Sequence, residues 1–518
     1  MPAPHRPPLP VRNAAAMVRR RMTCMNDSRK LDAVTPPHQA PRPLDQAAAL
    51  SIIIGIMLAM FLSALEQTIV APALPTIGRA LADVENLSWV VTAYLISTTV
   101  ATPLFGKLSD IYGRRRMMLI AVGTFVAGSV ACALAPNMWI LILARALQGI
   151  GGGGILPLAQ TVIADLLSPR ERPLIQSYSS AMFMAASILG PVLGGMLTDY
   201  VHWSLIFWIN LPLGVVALVM TDRALRRLPR NERPHKLDFT GAGLMVAATI
   251  ALLLALAWGG VRHPWTSPVI LALVGGSVVL WALFALRLKQ APEPFIPLSM
   301  LKDKVVFGIV VAGFFSIGAI VGLSIFIPLY IELVLGATPS ASGIVLIAFM
   351  GGATLGSMAA GRLMTRVERY KRVPVLFMPI GIVALIVLAI APADLSIAQV
   401  AALLAIGGAG VGPMWPTTTV IIQNAVPLHQ LGIATGTLSF FRQLGGAIIV
   451  AVFAAIVLGG AEGLTLDKLS GANAAALAAS FRLVFIAAAI FFGIALIALI
   501  AIEEQPLRGP AAKPLAGE

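Results

Sequence analysis

The chain of 518 residues contains few charged side chains and almost no cysteine. Asp, Glu, Lys and Arg make up 12% of it, whereas hydrophobic residues make up 58%. Because a typical soluble domain has about 25% charged residues, this composition excludes an ordinary soluble protein and predicts a polytopic membrane protein. The two cysteines, Cys24 and Cys132, have neither the number nor the spacing of a disulfide framework or a zinc site.

Motifs for metal and nucleotide binding are also missing. The six histidines are scattered, and no Gly-x-x-x-x-Gly-Lys-Ser/Thr sequence, which would bind the phosphates of ATP, occurs. Gly149, Gly151 and Gly154 have the spacing of a dinucleotide fingerprint, but they lie in an apolar run with no strand before it, so close helix packing is the better interpretation. We therefore predict no enzyme activity, no metal and no cofactor.

The chain does contain apolar runs of membrane-spanning length. A spanning helix needs about 20 predominantly apolar residues. Fourteen runs approach or exceed that length, near 48–72, 88–106, 117–135, 138–162, 175–199, 204–221, 240–258, 268–287, 305–334, 341–361, 373–391, 397–421, 432–459 and 480–502. These runs predict an all-α membrane protein with fourteen transmembrane helices.

The net charge of +14 is concentrated in alternate loops. Loops on the side of segment 106–116 carry 21 Lys and Arg residues, whereas loops on the opposite side carry only Arg79, Arg262 and Lys468. Lys and Arg accumulate on the cytoplasmic side of membrane proteins, so this bias explains the charge without nucleic-acid binding. We expect a multi-pass membrane protein with both termini in the cytoplasm.

An internal repeat divides the chain into two halves. Gly106-Lys-Leu recurs as Gly361-Arg-Leu, and segment 189–195 aligns with 440–446 in the same sense across the membrane, as in parallel transporter repeats. The predicted organisation is a disordered basic cytoplasmic tail over 1–47, a six-helix half over 48–221, a cytoplasmic linker with two inserted helices over 222–304, a second six-helix half over 305–502 and a cytoplasmic tail over 503–518.

Two charged residues lie inside apolar runs at similar depth. Glu66 in the first run and Arg145 in the fourth lie about 9 and about 10 Å below the same outer surface, at about 1.5 Å per residue. A charge in lipid costs about 2.5 kcal/mol or more, so the two side chains are expected to pair. Such a pair can link the protonation of Glu66 to conformation, as a proton-coupled exchanger requires. The alternatives are a static ion pair between helices and, for Glu66, a carboxyl that snorkels to the membrane interface.

Other polar residues in the apolar runs are candidates for lining a cavity. Arg442 lies near the bilayer centre and must face a cavity or bond to polar groups such as Gln443, whereas Glu332 lies at an outer helix end. Gln67 and Gln148 complete this predicted cavity set. The alternatives are a wetted interfacial carboxylate for Glu332 and a structural role for Arg442.

The basic loop between the second and third runs predicts a cytoplasmic gate formed by Gly106, Asp110, Gly113, Arg114 and Arg115. Asp110 can pair with Arg114 and with a helix N-terminus, which makes a latch that breaks when the halves rock. A loop that only sets topology would explain the arginines but not the aspartate.

A glycine and proline pattern marks the fifth run, in Gly190-Pro191-x-x-Gly194-Gly195. Proline removes one backbone hydrogen bond and the glycines let a neighbouring helix approach closely, so this helix is expected to bend and pack tightly. The alternative is an ordinary glycine-rich packing face.

These motifs resemble those of a known family. The basic loop is similar to the major facilitator superfamily signature between the second and third helices, Gly-x-x-x-Asp-x-x-Gly-Arg-Arg or Lys, at all five positions. The pattern from Gly190 to Gly195 resembles the antiporter motif of that superfamily. Further segments resemble its fourteen-span drug:proton antiporters, namely 203–214, 424–427, 432–436 and 441–446.

The resemblance implies the major facilitator fold and export across the bacterial inner membrane by alternating access, driven by the proton gradient. The implied partners are amphipathic or cationic compounds, protons and the lipid bilayer, with a periplasmic adaptor left undecided. Glu66 stands where this branch usually has aspartate, and Glu332 where glutamine is common, so the substrate range stays open. The alternatives are an exporter of an endogenous lipid, siderophore or metabolite, and a sensor that does not transport.

Overall fold

The computed structural model describes residues 46–226, 237–260, 262–367, 369–390, 392–393, 395–460 and 474–504. Most of the predicted tails and residues 227–236 of the predicted linker lie outside these ranges, as does Lys468 of the charge count. Residues Leu50–Glu518 form one compact unit, and every membrane-spanning helix given below belongs to it.

Fourteen helices of the described residues are long and apolar enough to span a membrane, which confirms the predicted number. We number them α1 (Ile53–Ala80), α2 (Leu87–Tyr112), α3 (Arg114–Ala133), α4 (Met138–Leu166), α5 (Arg172–Tyr200), α6 (Leu205–Arg223), α7 (Phe239–Trp258), α8 (Pro268–Gln290), α9 (Lys304–Leu333), α10 (Pro339–Arg366), α11 (Arg372–Ile390), α12 (Ile397–Ala425), α13 (Leu428–Leu458) and α14 (Ala476–Ala501). The helical form follows from the apolar sequence, because backbone polar groups in lipid must be satisfied within the segment.

Helices α1–α6 and α9–α14 form two six-helix halves, and α7 and α8 are inserted between them in the chain. α7 contacts both halves. Its Trp258 ring lies edge-on to Trp89 of α2, with 5.7 Å between ring centres, and its Leu253 belongs to the same buried apolar cluster as Phe440 of α13. α7 therefore covers the seam where α2 of the first half meets α13 of the second.

The halves meet closely at the end of the bundle that carries the loop between α2 and α3, which we call the basic end. A Cβ atom added to Gly106 of α2 would lie 2.5 Å from the backbone oxygen of Gly432 on α13. Likewise, a Cβ atom on Gly361 of α10 would lie 2.5 Å from the hydroxyl of Ser177 on α5. The two copies of the Gly-basic-Leu repeat thus occupy equivalent places at the closed contact between the halves.

Candidate functional site

Glu66 of α1 is enclosed within the first half and carries an ion pair. It is 0% exposed, and its partner Arg145 of α4 is 2% exposed. The Oε1 atom of Glu66 contacts the Nη1 atom of Arg145, and the amide of Asn210 on α6 donates to Oε2 at 2.5 Å. Three helices meet at this one carboxylate, which accepts a hydrogen bond at each of its oxygens.

The guanidinium of Arg145 also contacts α2 and its own helix. Its Nε atom donates to the backbone oxygen of Val90 on α2 at 3.0 Å, and Nη1 donates to Gln148 Oε1 at 2.7 Å. Its Cζ atom lies 4.3 Å from the centre of the Tyr94 ring, a cation–π distance. Gln148 in turn donates to Ser129 Oγ on α3 at 2.7 Å. We call this polar group the Glu66 cluster, which consists of Glu66, Tyr94, Ser129, Arg145, Gln148 and Asn210.

Glycines of α4 explain why five helices can converge on Arg145. A Cβ atom on Gly149 would lie 2.6 Å from a backbone oxygen of α2, and one on Gly151 would lie 2.3 Å from a backbone nitrogen of α3. Only glycine allows the three helices to pack at this distance. This confirms that these glycines serve close helix packing.

The Glu66 cluster holds one negative and one positive charge, so it is neutral as a whole when both groups are ionised. Removing one partner of a buried ion pair typically costs about 3–5 kcal/mol, because an uncompensated charge remains. A proton added to Glu66 acts in the same way on Arg145, which keeps its charge and loses its counter-ion. The geometry can therefore link protonation at one carboxylate to the packing of α1, α2, α3, α4 and α6.

The glycine motif of α5 packs directly against the part of α1 that follows Glu66. A Cβ atom on Gly190 would lie 2.0 Å from the hydroxyl oxygen of Thr68, and one on Gly194 would lie 2.2 Å from the backbone oxygen of Ile69. The Thr68 hydroxyl donates to a backbone oxygen of α5 at 2.9 Å. Any movement of this part of α1 must therefore be shared by α5.

The other two positions of the motif lie outside this contact. A Cβ atom on Gly195 would meet nothing within 4 Å. Pro191 is exposed and lies inside the helix, where its missing N–H removes one backbone hydrogen bond. The motif thus contains two glycines that pack against α1, one glycine with open space beside it and one exposed proline.

Asp110 closes the basic end by binding the start of α13. Its Oδ1 and Oδ2 atoms accept hydrogen bonds from the backbone N–H groups of Gly432 and Ile433 at 3.0 and 2.8 Å. The same carboxylate pairs with Nη1 of Arg114, whose Nε atom donates to Asp165 Oδ2 on α4 at 3.0 Å. Because the N-terminus of a helix attracts negative charge, this contact holds the two halves together.

Gly113 and Arg115 occupy supporting positions in the basic loop. Gly113 has a φ angle of 89°, which side-chain-bearing residues rarely adopt, so the turn from α2 to α3 favours glycine. Arg115 pairs with Asp222 at the end of α6, with 2.5 Å between Nη2 and Oδ1. Arg115 therefore joins α3 to α6 within the first half and makes no ion pair with the second half among the described residues.

Residues 56–450 match the family model of the Major Facilitator Superfamily. The chain belongs to this superfamily. It is 32% identical over 420 residues to the Multidrug transporter protein MdtP of Bacillus subtilis, a match that covers 81% of this chain and 77% of the relative. It is also 31% identical over 411 residues to Multidrug resistance protein 3 of the same organism, with 79% of this chain and 80% of the relative covered.

A solved structure has the same facilitator fold. A bacterial homologue of the iron transporter ferroportin, in an outward-facing state, superposes with a TM-score of 0.61 at 14% identity, over 88% of this chain and 98% of that one. At this identity the likeness shows the fold alone. It confirms the predicted fold class of this facilitator.

Three residues of the predicted cavity set occupy different environments in the facilitator. Gln67 is exposed on α1. Gln148 is 0% exposed, and because its amide is used within the Glu66 cluster, the prediction that it lines an open cavity is wrong for this conformation. Glu332 is half-buried near the end of α9 and accepts a hydrogen bond from Ser342 of α10 at 2.7 Å.

Arg442 and Gln443 of α13 point in different directions, and the polar groups to which Arg442 bonds lie on α12 and do not include Gln443. Adjacent residues of a helix do not face each other. Gln443 instead joins the two halves, because it donates to Thr102 of α2 at 2.9 Å and accepts from Thr99 at 3.2 Å. Arg442 is 3% exposed and turns toward α12, so it does not line an open cavity in this conformation.

Four residues of these sites were not predicted from the sequence, namely Tyr94, Ser129, Asp165 and Asn210. The signal for Asn210 was an amide inside an apolar run, and the signal for Asp165 was a carboxylate close to the end of one. Tyr94 and Ser129 are common residues in membrane helices, and only the rotation of α2 and α3 brings them into the Glu66 cluster.

Proposed function

We propose that this facilitator exports amphipathic or cationic compounds across the bacterial inner membrane in exchange for protons, with its basic end in the cytoplasm. The observation that carries the proposal is the Glu66 cluster, in which one fully enclosed carboxylate is held by a guanidinium and an amide from two other helices. The names of the two Bacillus subtilis relatives support drugs as the substrates.

The proposed coupling step takes place at Glu66. In the closed arrangement at the basic end, ionised Glu66 is bound by Arg145 and Asn210. A proton that enters from the opposite end binds a carboxylate oxygen and removes the negative charge. Arg145 then keeps only neutral partners, so the contact that holds α1 to α4 weakens. Because α1 and α5 pack through Gly190, the change passes to α5.

Buried polar atoms between the halves support the exchange between two arrangements. The amide of Gln423 on α12 donates across the halves to the backbone oxygen of Gln160 on α4 at 3.1 Å. The side-chain amides of Gln160 and Gln176 on α5 are buried without a hydrogen-bond partner. Unpaired polar groups are rare in a permanent interface, whereas water would satisfy them if the halves separated at the basic end.

The test is proton movement driven by a drug gradient. The purified full chain is reconstituted in liposomes with an acidic interior and an enclosed pH-sensitive dye, and lipophilic cations, uncharged drugs and aromatic carboxylates are added outside in turn. An antiporter carries compound inward and protons outward, so the interior becomes more alkaline. We expect this signal from the wild type and its loss in Glu66→Gln.

The matched control is Glu332→Gln, which removes a carboxylate near one end of the bundle that accepts a hydrogen bond from Ser342 of α10. It is expected to keep the proton signal. Wild-type proton flux in Glu66→Gln would contradict the proposed coupling residue, and the absence of flux with every compound would contradict drug:proton exchange itself.

A further inference from the structure

Arg442 of α13 is a buried cation that takes part in no ion pair formed by the described residues. It is 3% exposed. Its Nη2 atom donates to the backbone oxygen of Trp415 at 3.1 Å and to the hydroxyls of Thr418 and Thr419, the latter at 3.0 Å. All three acceptors are neutral. A charge inside the membrane is costly, and ionisable residues there mark substrate or ion pathways.

Hydrogen-bond donors around Arg442 exceed the acceptors. Its Nε and Nη1 atoms are buried and have no hydrogen-bond partner, and the same holds for the indole Nε1 atom of Trp415. The Cζ atom of Arg442 lies 4.7 Å from the centre of the Trp415 ring, so the unused donors belong to two groups in direct contact. Since guanidinium and indole N–H groups can only donate, the ligand that would satisfy them is a hydrogen-bond acceptor, and the unpaired charge of Arg442 favours an anionic one.

The Trp415 ring separates Arg442 from the first half. The Trp415 ring also contacts the ring of Phe183 on α5, with 5.4 Å between ring centres. Arg442 itself lies about 17 Å along the helix from Leu431 at the basic end, at about 1.5 Å per residue. The Trp415 ring therefore contacts both the guanidinium and the first half, and a ligand that takes the place of this ring would lie against Arg442.

The chemistry of these groups selects a class of anion. A carboxylate accepts strong, charge-assisted hydrogen bonds from a guanidinium, and its two oxygens can accept from one unused N–H of Arg442 and from the indole N–H of Trp415. The flat rings of Trp415 and Phe183 offer stacking surface to an aromatic body. We propose that Arg442 and Trp415 bind the carboxylate of an amphipathic aromatic substrate. This inference rests on the proposed export of amphipathic compounds and narrows that class to members that carry a carboxylate.

The experiment measures binding without any proton gradient. The purified full chain in lipid nanodiscs is dialysed to equilibrium against radiolabelled 2-naphthoate, and against 2-naphthamide, which has the same ring and no charge. Because hydrogen bonds to charged groups contribute about 1.5–3 kcal/mol, the wild type is expected to prefer naphthoate by at least about 10-fold. Arg442→Gln is expected to abolish the preference, and Arg442→Lys to retain part of it.

Two further variants keep the test independent of folding. Trp415→Phe retains a ring and removes only the indole N–H, so it is expected to lower the preference for naphthoate without changing the binding of naphthamide. The control is Arg482→Gln on α14, whose guanidinium donates to the backbone oxygens of Ala389 and Ile390 at 3.0 Å. It is expected to leave the preference unchanged.

Three outcomes would overturn the inference. These are equal binding of naphthoate and naphthamide by the wild type, an undiminished preference in Arg442→Gln, and displacement of naphthoate by millimolar chloride, which would assign a small inorganic anion instead. Binding is measured without a gradient, so the two proposals can fail separately. If the wild type binds naphthoate through Arg442 but moves no protons, only the proposed proton coupling is refuted. If the wild type exchanges cations for protons but does not prefer naphthoate to naphthamide, only the carboxylate site is refuted.

Discussion

The replacement of Arg145 by methionine tests the energetics of the Glu66 cluster. Methionine keeps a flexible side chain of similar length but leaves the Glu66 carboxylate buried with Asn210 as its remaining partner. Removing one member of a buried ion pair costs about 3–5 kcal/mol, and the bonds to Val90 and Gln148 are lost as well. We expect the free energy of unfolding of Arg145→Met to fall by at least that amount.

A double replacement separates the charge effect from simple loss of packing. In Glu66→Gln combined with Arg145→Met no unpaired charge remains, and the introduced glutamine side chain can still bond to Asn210. The double variant is therefore expected to be more stable than Arg145→Met by about 2 kcal/mol or more, because exchange of a buried pair for neutral groups is often close to neutral.

The assay is equilibrium unfolding of the purified chain in mixed micelles of increasing SDS content, followed by far-UV circular dichroism. Arg145→Lys serves as an intermediate variant, since lysine keeps the charge and loses the fork geometry; it is expected to impair stability and coupling less than Arg145→Ala. The expected coupling is refuted if the free energy of unfolding of the double variant falls by the sum of the losses measured for Glu66→Gln and Arg145→Met alone. The two side chains would then be energetically independent.

Two further predictions concern glycine packing and the gate. Gly190→Ala places a methyl group against α1 and is expected to reduce both stability and transport. Gly195→Ala adds a methyl group that meets nothing within 4 Å and is expected to change neither. Thermal unfolding and efflux assays compare the two variants, and equal effects would contradict the packing role of Gly190. Gly106→Ala and Asp110→Asn are each expected to loosen the contact at the basic end. The measurement places a cysteine at Gln160 in a cysteine-free background and follows its reaction with a membrane-impermeant thiol reagent in inside-out vesicles. Both variants are expected to react faster than the protein with an intact contact. Unchanged labelling in both variants would contradict the latch.

The number of helices and the pairing of two charges could be predicted from the sequence for a simple reason. Membrane thickness sets helix length, and counting residues from a helix end gives depth. Counting residues placed Glu66 and Arg145 at matching depths, and in the structure the two side chains form an ion pair. The contact of Asp110 with a helix N-terminus also agrees with expectation, although the sequence did not identify that helix as α13.

The remaining features depend on helix rotation, which depth does not reveal. Gln148 was expected to line a cavity and is enclosed, whereas Arg442 was expected either to face a cavity or to bond to polar groups and does the latter. The sequence could not decide these points, because the apolar faces of α4 and α13 are too uniform to show which side meets another helix. The amide of Asn210 was visible as a polar residue in an apolar run. Its partner depends on how α6 packs against α1, and that is decided by tertiary contacts.

The most direct test of coupling at Glu66 compares exchange with uphill transport in the same proteoliposomes. The wild type is expected to exchange the best-transported compound across the membrane without a pH gradient and to concentrate it when a gradient is imposed. Glu66→Gln, which mimics the protonated carboxyl, is expected to exchange but not to concentrate. Uphill accumulation by Glu66→Gln at the wild-type rate would contradict the account.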